Sequence, residues 1–214
     1  MPIICPSILA ANERQYKEEI EKISSFAHRI QIDLTDGVFT RPLTVSPEQA
    51  WWPVGIKADF HLMFDRPIAA IKTILAHKPN LIIVHAEADG DFKEVANFCR
   101  QNRIRLGIAL LPKTPPSAIL PALNDIQHVL IFGGELGKYG GSADLSLLSK
   151  IKEFKEKKPE LEMGWDGGIN DQNIAELVNG GVDVLNVGGY LQAAEDPVKA
   201  FTALQRIADE TGAT

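Results

Sequence analysis

Asp33 and Asp166 each close a short apolar run, Ile30-Gln31-Ile32-Asp33 and Met163-Gly164-Trp165-Asp166. An isolated buried charge is too costly, so a carboxylate in such surroundings needs a metal, a cation or a proton to compensate it. Both residues are therefore candidate acid–base groups or metal ligands. The bland alternative is an acid just past a strand end that caps a loop. His61, in Asp59-Phe60-His61-Leu62-Met63, would alone read as a hydrogen-bonded core histidine. Beside two strand-end carboxylates it becomes a candidate ligand, since imidazole with carboxylate suits Mn, Fe, Co or Zn. His85 closes Leu81-Ile82-Ile83-Val84-His85 and reads as structural or loop-orienting. His28, His77 and His128 fall at segment starts or helix ends and are expected in solvent.

Glycine supplies the second kind of chemistry. Gly140-Gly141, Gly167-Gly168 and Gly188-Gly189 follow the sixth, seventh and eighth apolar runs. Without a Cβ the backbone can approach an anion closely and turn its N–H groups toward it. Turns use glycine too, so one pair says little, whereas a cluster of them suits a phosphate ester.

The elements that would position these residues alternate along the chain. Apolar, β-branched runs at 3–9, 29–34, 56–63, 81–85, 105–110, 129–132, 161–165 and 184–187 predict strands. Helical patterns at 15–24, 67–76, 92–101, 116–123, 145–157, 172–179 and 197–210, with a short helix near 47–52, lie between and after them. Strands apolar on both faces belong in a parallel sheet covered by helices. Eight such units in one domain over residues 1–214 fit a closed (β/α)8 TIM barrel better than an open doubly wound sheet, though the count alone leaves both open. In the barrel the strand ends carrying Ser7, Asp33, Asp36, His61, His85, Asp166 and Gly188-Gly189 converge on one face, where active sites are found. No dinucleotide fingerprint opens the first helix, and the P-loop-like stretch 133–138 is one residue short and followed by Tyr139.

Composition narrows the partners. The 214 residues carry a formal net charge of −6, with the basic residues scattered, which argues against nucleic-acid and anionic-membrane partners. No run approaches the length of a membrane span, and the start of the chain is not that of a signal peptide. Cys5 and Cys99, each isolated, read as reduced core thiols. The expected compartment is the cytosol, and the expected state is a homo-oligomer. Trp51-Trp52-Pro53 is either a subunit contact or packing under the loop that precedes it.

Taken in order, Pro6-Ser7-Ile8-Leu9, Asp33-Leu34-Thr35-Asp36-Gly37, His61-Leu62-Met63, Val84-His85-Ala86-Glu87, Gly140-Gly141 and Asp166-Gly167-Gly168-Ile169 resemble the motifs of ribulose-phosphate 3-epimerases. The resemblance runs from about residue 3 to residue 190. It implies a (β/α)8 TIM barrel of the ribulose-phosphate-binding type, a divalent metal ion (Zn, Fe, Mn or Co) and epimerisation beside a ketose carbonyl. Carried over, Asp33 and Asp166 are the acid–base pair and metal ligands, and His61 is a third ligand that also faces the substrate. Ser7, Met63 and the three glycine pairs are substrate contacts, and the partner is a small phosphorylated sugar.

This chain departs from the family at several of these positions. Gln31 stands where the family has a metal-ligating histidine, and its neutral carbonyl oxygen makes only a weak fourth ligand. Thr35 and Val38 replace a methionine and a second histidine. The segment 132–141 is one residue longer than its counterpart, and Tyr190 occupies a position usually held by serine. These changes motivate a second reading, a sugar-phosphate binder that has lost full metal binding and turnover. A third, a Schiff-base aldolase, lacks a lysine at the end of strand six, and Lys57 enters strand three at the wrong end.

Overall fold

The computed structural model describes residues 1–213. Eight strands run parallel and close in chain order: β1 (Ile3–Ile8), β2 (Arg29–Thr35), β3 (Lys57–Met63), β4 (Leu81–His85), β5 (Arg105–Leu110), β6 (His128–Phe132), β7 (Glu162–Asp166) and β8 (Val184–Val187). β8 pairs back onto β1, with Cys5 opposite Asn186. Every residue of β2, β4, β6 and β8 is buried, as a sheet covered on both faces requires. Both catalytic candidates fall inside strands, since β2 continues two residues beyond Asp33 and β7 ends on Asp166.

Around the barrel lie α1 (Glu13–Ile23), α2 (Ile68–Ile74), α3 (Phe92–Gln101), α4 (Leu148–Lys157), α5 (Ile174–Asn179), α6 (Gly189–Gln192) and α7 (Pro197–Gly212). α1 shows why these segments are helical. The Asn12 side chain accepts from the Gln15 amide, satisfying one of the free N–H groups of the first turn. Tyr16, Glu19, Ile20 and Ile23 then fall on one buried face, the spacing of an amphipathic helix.

Two expected helices form only as 3-10 turns. Residues 116–123 form two 3-10 turns, Pro116–Ala118 and Leu120–Asp125. Pro115, Pro116 and Pro121 each lack the N–H that would extend an α-helix. Near 47–52 there is only the 3-10 turn Pro47–Gln49. α6, directly after β8, was not foreseen.

The interior below the mouth is filled by Leu81, Ile83, Ala109 and Leu130. The floor is ionic. Arg29 donates to Asp59 at 2.6 Å and bidentately to Glu162 at 2.9 Å, while Arg105 and His128 also reach Glu162, at 2.9 and 2.8 Å. His128 is thus only 1% exposed, against the expectation of a solvated side chain. It begins β6, and the barrel turns that position inward toward Glu162 of β7. His28 is exposed and His77 half-buried beside Trp52. Cys5 and Cys99 are free, buried thiols.

Candidate active site

The C-terminal ends of the strands open into a cavity of about 260 Å³ lined by Ser7, Asp33, Met63, Asp166, Asn186 and all six glycines of the three pairs. His61 and Gln31 sit behind that wall, both 0% exposed. Register accounts for the grouping. Asp33 pairs with His61 on the neighbouring strand, Ser7 with Gln31 and Asp166 with Asn186. Lys57 is exposed at the opposite end of β3, and Lys138, which lines the cavity, is paired with Glu135.

One amide joins the two carboxyl groups. Nε2 of Gln31 donates to Oδ1 of Asp33 at 2.9 Å and to Oδ2 of Asp166 at 2.5 Å. Nδ1 of His61 lies 2.9 Å from the same Asp33 oxygen and 3.9 Å from Asp166. Burial drives the Asp33 carboxyl up to about 8, outweighing the hydrogen bond from Gln31. Burial and the neighbouring Asp33 charge raise Asp166 to about 7. Burial also lowers His61 and His85 to about 4. Burial favours the neutral form of each group, and with Asp33 protonated its hydroxyl donates to Nδ1 of His61. Nε2–H of His61 then donates to Nε2 of His85 at 2.8 Å, and Nδ1–H of His85 to Glu87 at 3.2 Å. Burial opposes ionisation of Glu87, but bonds from His85 and the Leu111 amide hold its carboxyl below the usual range.

The donor set suits a divalent cation. Bonds of about 2.1 Å place tetrahedral ligands about 3.4 Å apart, between the 2.9 and 3.9 Å that separate Nδ1 of His61 from Asp33 and Asp166. A ligand atom from each of Asp33, His61 and Asp166 lies within 4.8 Å of the others. Two carboxylates and an imidazole match first-row divalent ions. Gln31 enters with its donor atom forward: its NH2 group occupies the carboxylate lone pairs, while Oε1 has no hydrogen-bond partner among the described residues. The site fits a cation through three side chains, and Gln31 competes with the ion for two of them.

At the glycine end the backbones pack against one another. Gly167 and Gly168 have φ of +114° and +69°, values that favour glycine. A Cβ on Gly167 would strike the backbone of Gly134, and one on Gly168 the backbone at 142–143. Tyr139 anchors this loop. Its hydroxyl accepts from the Leu9 amide at 2.6 Å and donates to the buried carboxylate of Glu19 at 2.5 Å. Its ring lies over Gly188, where a Cβ would come within 2.6 Å of Cε1.

Asp36 is not part of this group. Its oxygens accept from the Val38, Phe39 and Asp65 amides, which makes it a loop cap. Three participants escaped the reading of the sequence: the Tyr139–Glu19 pair, the His85–Glu87 extension and Asn186. An amide inside the aliphatic run Val184-Leu185-Asn186-Val187 was the available signal for the last. Trp52 packs edge-on against Phe60, while Trp51 is 43% exposed and its carbonyl accepts from Tyr16.

Fold and site together define a (β/α)8 barrel enzyme whose mouth holds a buried carboxyl pair beside a glycine-lined cavity. Residues 3–192 match the profile of the ribulose-phosphate 3 epimerase family. The chain belongs to that family and is an isomerase. It is similar to the ribulose-phosphate 3-epimerase of Helicobacter pylori J99, 31% identical over 212 residues that cover 95% of this chain and 97% of the relative. The Bacillus subtilis ribulose-phosphate 3-epimerase is 29% identical over 211 residues, covering 94% and 97%. Among solved structures, 3-hexulose-6-phosphate synthase from Salmonella typhimurium superposes with a TM-score of 0.71 at 9% identity, covering 98% of this chain and 99% of that one. KGPDC from Streptococcus mutans gives a TM-score of 0.72 at 10% identity, with 99% of each chain covered. These two likenesses concern the fold.

Proposed function

We propose that this chain epimerises a ketose phosphate at the carbon beside its carbonyl, with D-ribulose 5-phosphate as the first candidate. One observation carries the reading: Asp33 and Asp166, from β2 and β7, meet on a single buried amide at the cavity wall. Inverting such a carbon needs one group to remove a proton from one side and another to return a proton to the other. One of the two carboxyls is ionised and serves as the base while the other is protonated and serves as the acid, and the pair titrates together. Their roles exchange in the reverse direction. The glycine loops, with Ser7 and Met63, hold the sugar phosphate so that the reacting carbon lies between the carboxyls. Asp33, Asp166 and His61 would hold a divalent ion (Zn, Fe, Mn or Co), which would supply positive charge to polarise the ketose carbonyl; Gln31, expected as a weak fourth ligand, turns its NH2 group to the carboxyls and would not join them. Gly140, Gly141, Gly167, Gly168, Gly188 and Gly189 line the phosphate end.

The working form in this reading is one domain, 1–214, acting in the cytosol as a homo-oligomer. Val38, Leu43, Trp51 and Val54, all exposed, come from one stretch of chain and are apolar surface for a second copy to cover. Sedimentation of the purified protein tests that part.

For the chemistry, protein supplied with Mn is incubated with D-ribulose 5-phosphate in deuterated water, and the hydrogen on carbon 3 is followed by NMR. Exchange is expected, and Asp33→Asn abolishes it. Full exchange in that variant would remove the two-acid mechanism. The second reading, a binder without turnover, is favoured by the Gln31 amide, which already ties the two carboxyls together. It predicts calorimetric binding of the sugar phosphate with no exchange under any of the four metals.

A further inference from the structure

Asn186 is 2% exposed, lies on β8 and lines the cavity. Neither its Nδ2 nor its Oδ1 has a hydrogen-bond partner among the described residues. Its neighbours offer little: Asp166 beside it on β7 is bonded to Gln31, and Cys5 on β1 is a buried thiol. Ser7 Oγ, one inward position further toward the mouth on β1, is likewise unpaired. A buried amide left without a partner destabilises the free protein, and native folds carry few of them. One that survives at a cavity wall has its partner in what the cavity binds.

Depth says which part of the ligand that is. Asn186 stands level with Asp166 and two residues below Gly188-Gly189, about 6.6 Å along an extended strand. It faces the reacting end of a substrate whose phosphate lies at the glycines. An α-hydroxyketone presents a carbonyl acceptor and a hydroxyl donor on adjacent carbons. A carboxamide presents the complement, an NH2 donor and a C=O acceptor.

Resting on the epimerase reading above, we propose that Asn186 is a specificity-determining residue that binds the hydroxyketone edge of the substrate. Its NH2 group donates to the carbonyl oxygen and its C=O accepts from the hydroxyl on carbon 1. The donor bond strengthens as negative charge develops on that oxygen, so the residue favours the transition state over the bound ketose. A site built to pair a hydroxyl rejects the analogue that lacks it.

The test uses Asn186→Leu, which keeps the volume and removes both polar atoms, and Asn186→Ser as a smaller polar variant. Binding of D-xylulose 5-phosphate and of 1-deoxy-D-xylulose 5-phosphate, which lacks one hydroxyl beside the carbonyl, is measured by calorimetry with Mn present. Exchange kinetics and urea unfolding of the ligand-free protein accompany it. The wild type should prefer the hydroxylated sugar by about tenfold or more, a single hydrogen bond's worth, and Asn186→Leu should lose that preference. Its kcat/KM should fall by about tenfold or more, with unfolding midpoint unchanged or raised. A structural amide behaves oppositely: the midpoint falls and the preference stays, which overturns the proposal. If Asn186→Leu does not fold, retention of the full preference and turnover by Asn186→Ser, whose shorter hydroxyl cannot make both bonds, overturns it as well. Wild-type protein that binds neither sugar defeats the epimerase reading itself, and this inference with it.

Discussion

Nε2 of His61 faces Nε2 of His85 at 2.8 Å inside the barrel, so one nitrogen carries a hydrogen and the other does not. Because His85 donates through Nδ1 to Glu87, the shared hydrogen belongs to His61. That leaves Nδ1 of His61 unprotonated, as a metal ligand must be.

His85→Phe should therefore weaken metal binding by about 10- to 100-fold, the usual effect of removing a partner that orients a ligand. Titration calorimetry with Mn measures it. An unchanged affinity would show that His61 is held by packing alone.

Gln31→His should act in the other direction. The wild-type amide NH2 holds the same carboxylate lone pairs that a cation needs, and an imidazole would add a ligand in its place. Affinity for Mn or Zn should rise at least about tenfold. The check is a competition titration against a chelator of known strength.

Stability of the metal-free protein should fall as pH rises from about pH 6 to about pH 8. Asp33 and Asp166 titrate near 8 and 7 when folded, against an ordinary value of 3.8. Their contribution is complete below the unfolded value and lost as pH rises through the folded ones. His61 and His85 are depressed from 6.5 to about 4, so theirs is complete above 6.5 and lost as pH falls through 4. Between these limits the two pairs oppose each other, and above them only the carboxyls act. Thermal unfolding in excess chelator, run across this range, should show a decline that added metal suppresses.

Glu162→Ala should destabilise the barrel by about 3–5 kcal/mol, the loss expected when one side of a buried ion pair is removed. Glu162 accepts from Arg29, Arg105 and His128 together, and Asp59 alone would remain to balance the buried Arg29. Urea unfolding gives the number, and a change below about 1 kcal/mol would place the floor's stability elsewhere.

Much of the fold was legible because its signals are local. Runs such as Leu81–His85 and Val184–Val187 are apolar at every or nearly every position, which marks a strand covered on both faces wherever it lies. The ends of those runs announced Asp33, His61 and Asp166, and the structure brings all three to one place. Residues 116–123 misled because their helical spacing is also local, while the prolines that break it act through missing donors.

Pairings between distant strands were decided only by the tertiary structure. Gln31 looks like a poor substitute ligand in the sequence; closure of the barrel makes it the donor that ties Asp33 to Asp166, a residue 135 positions from Gln31 along the chain. His128 looks solvated until β7 places Glu162 beside it, and Tyr139 looks like a loop residue until α1 presents Glu19. Residue type and period determine which groups a strand carries and which face they take. Which group meets which depends on strand register around a closed sheet, and no stretch of chain contains that information by itself.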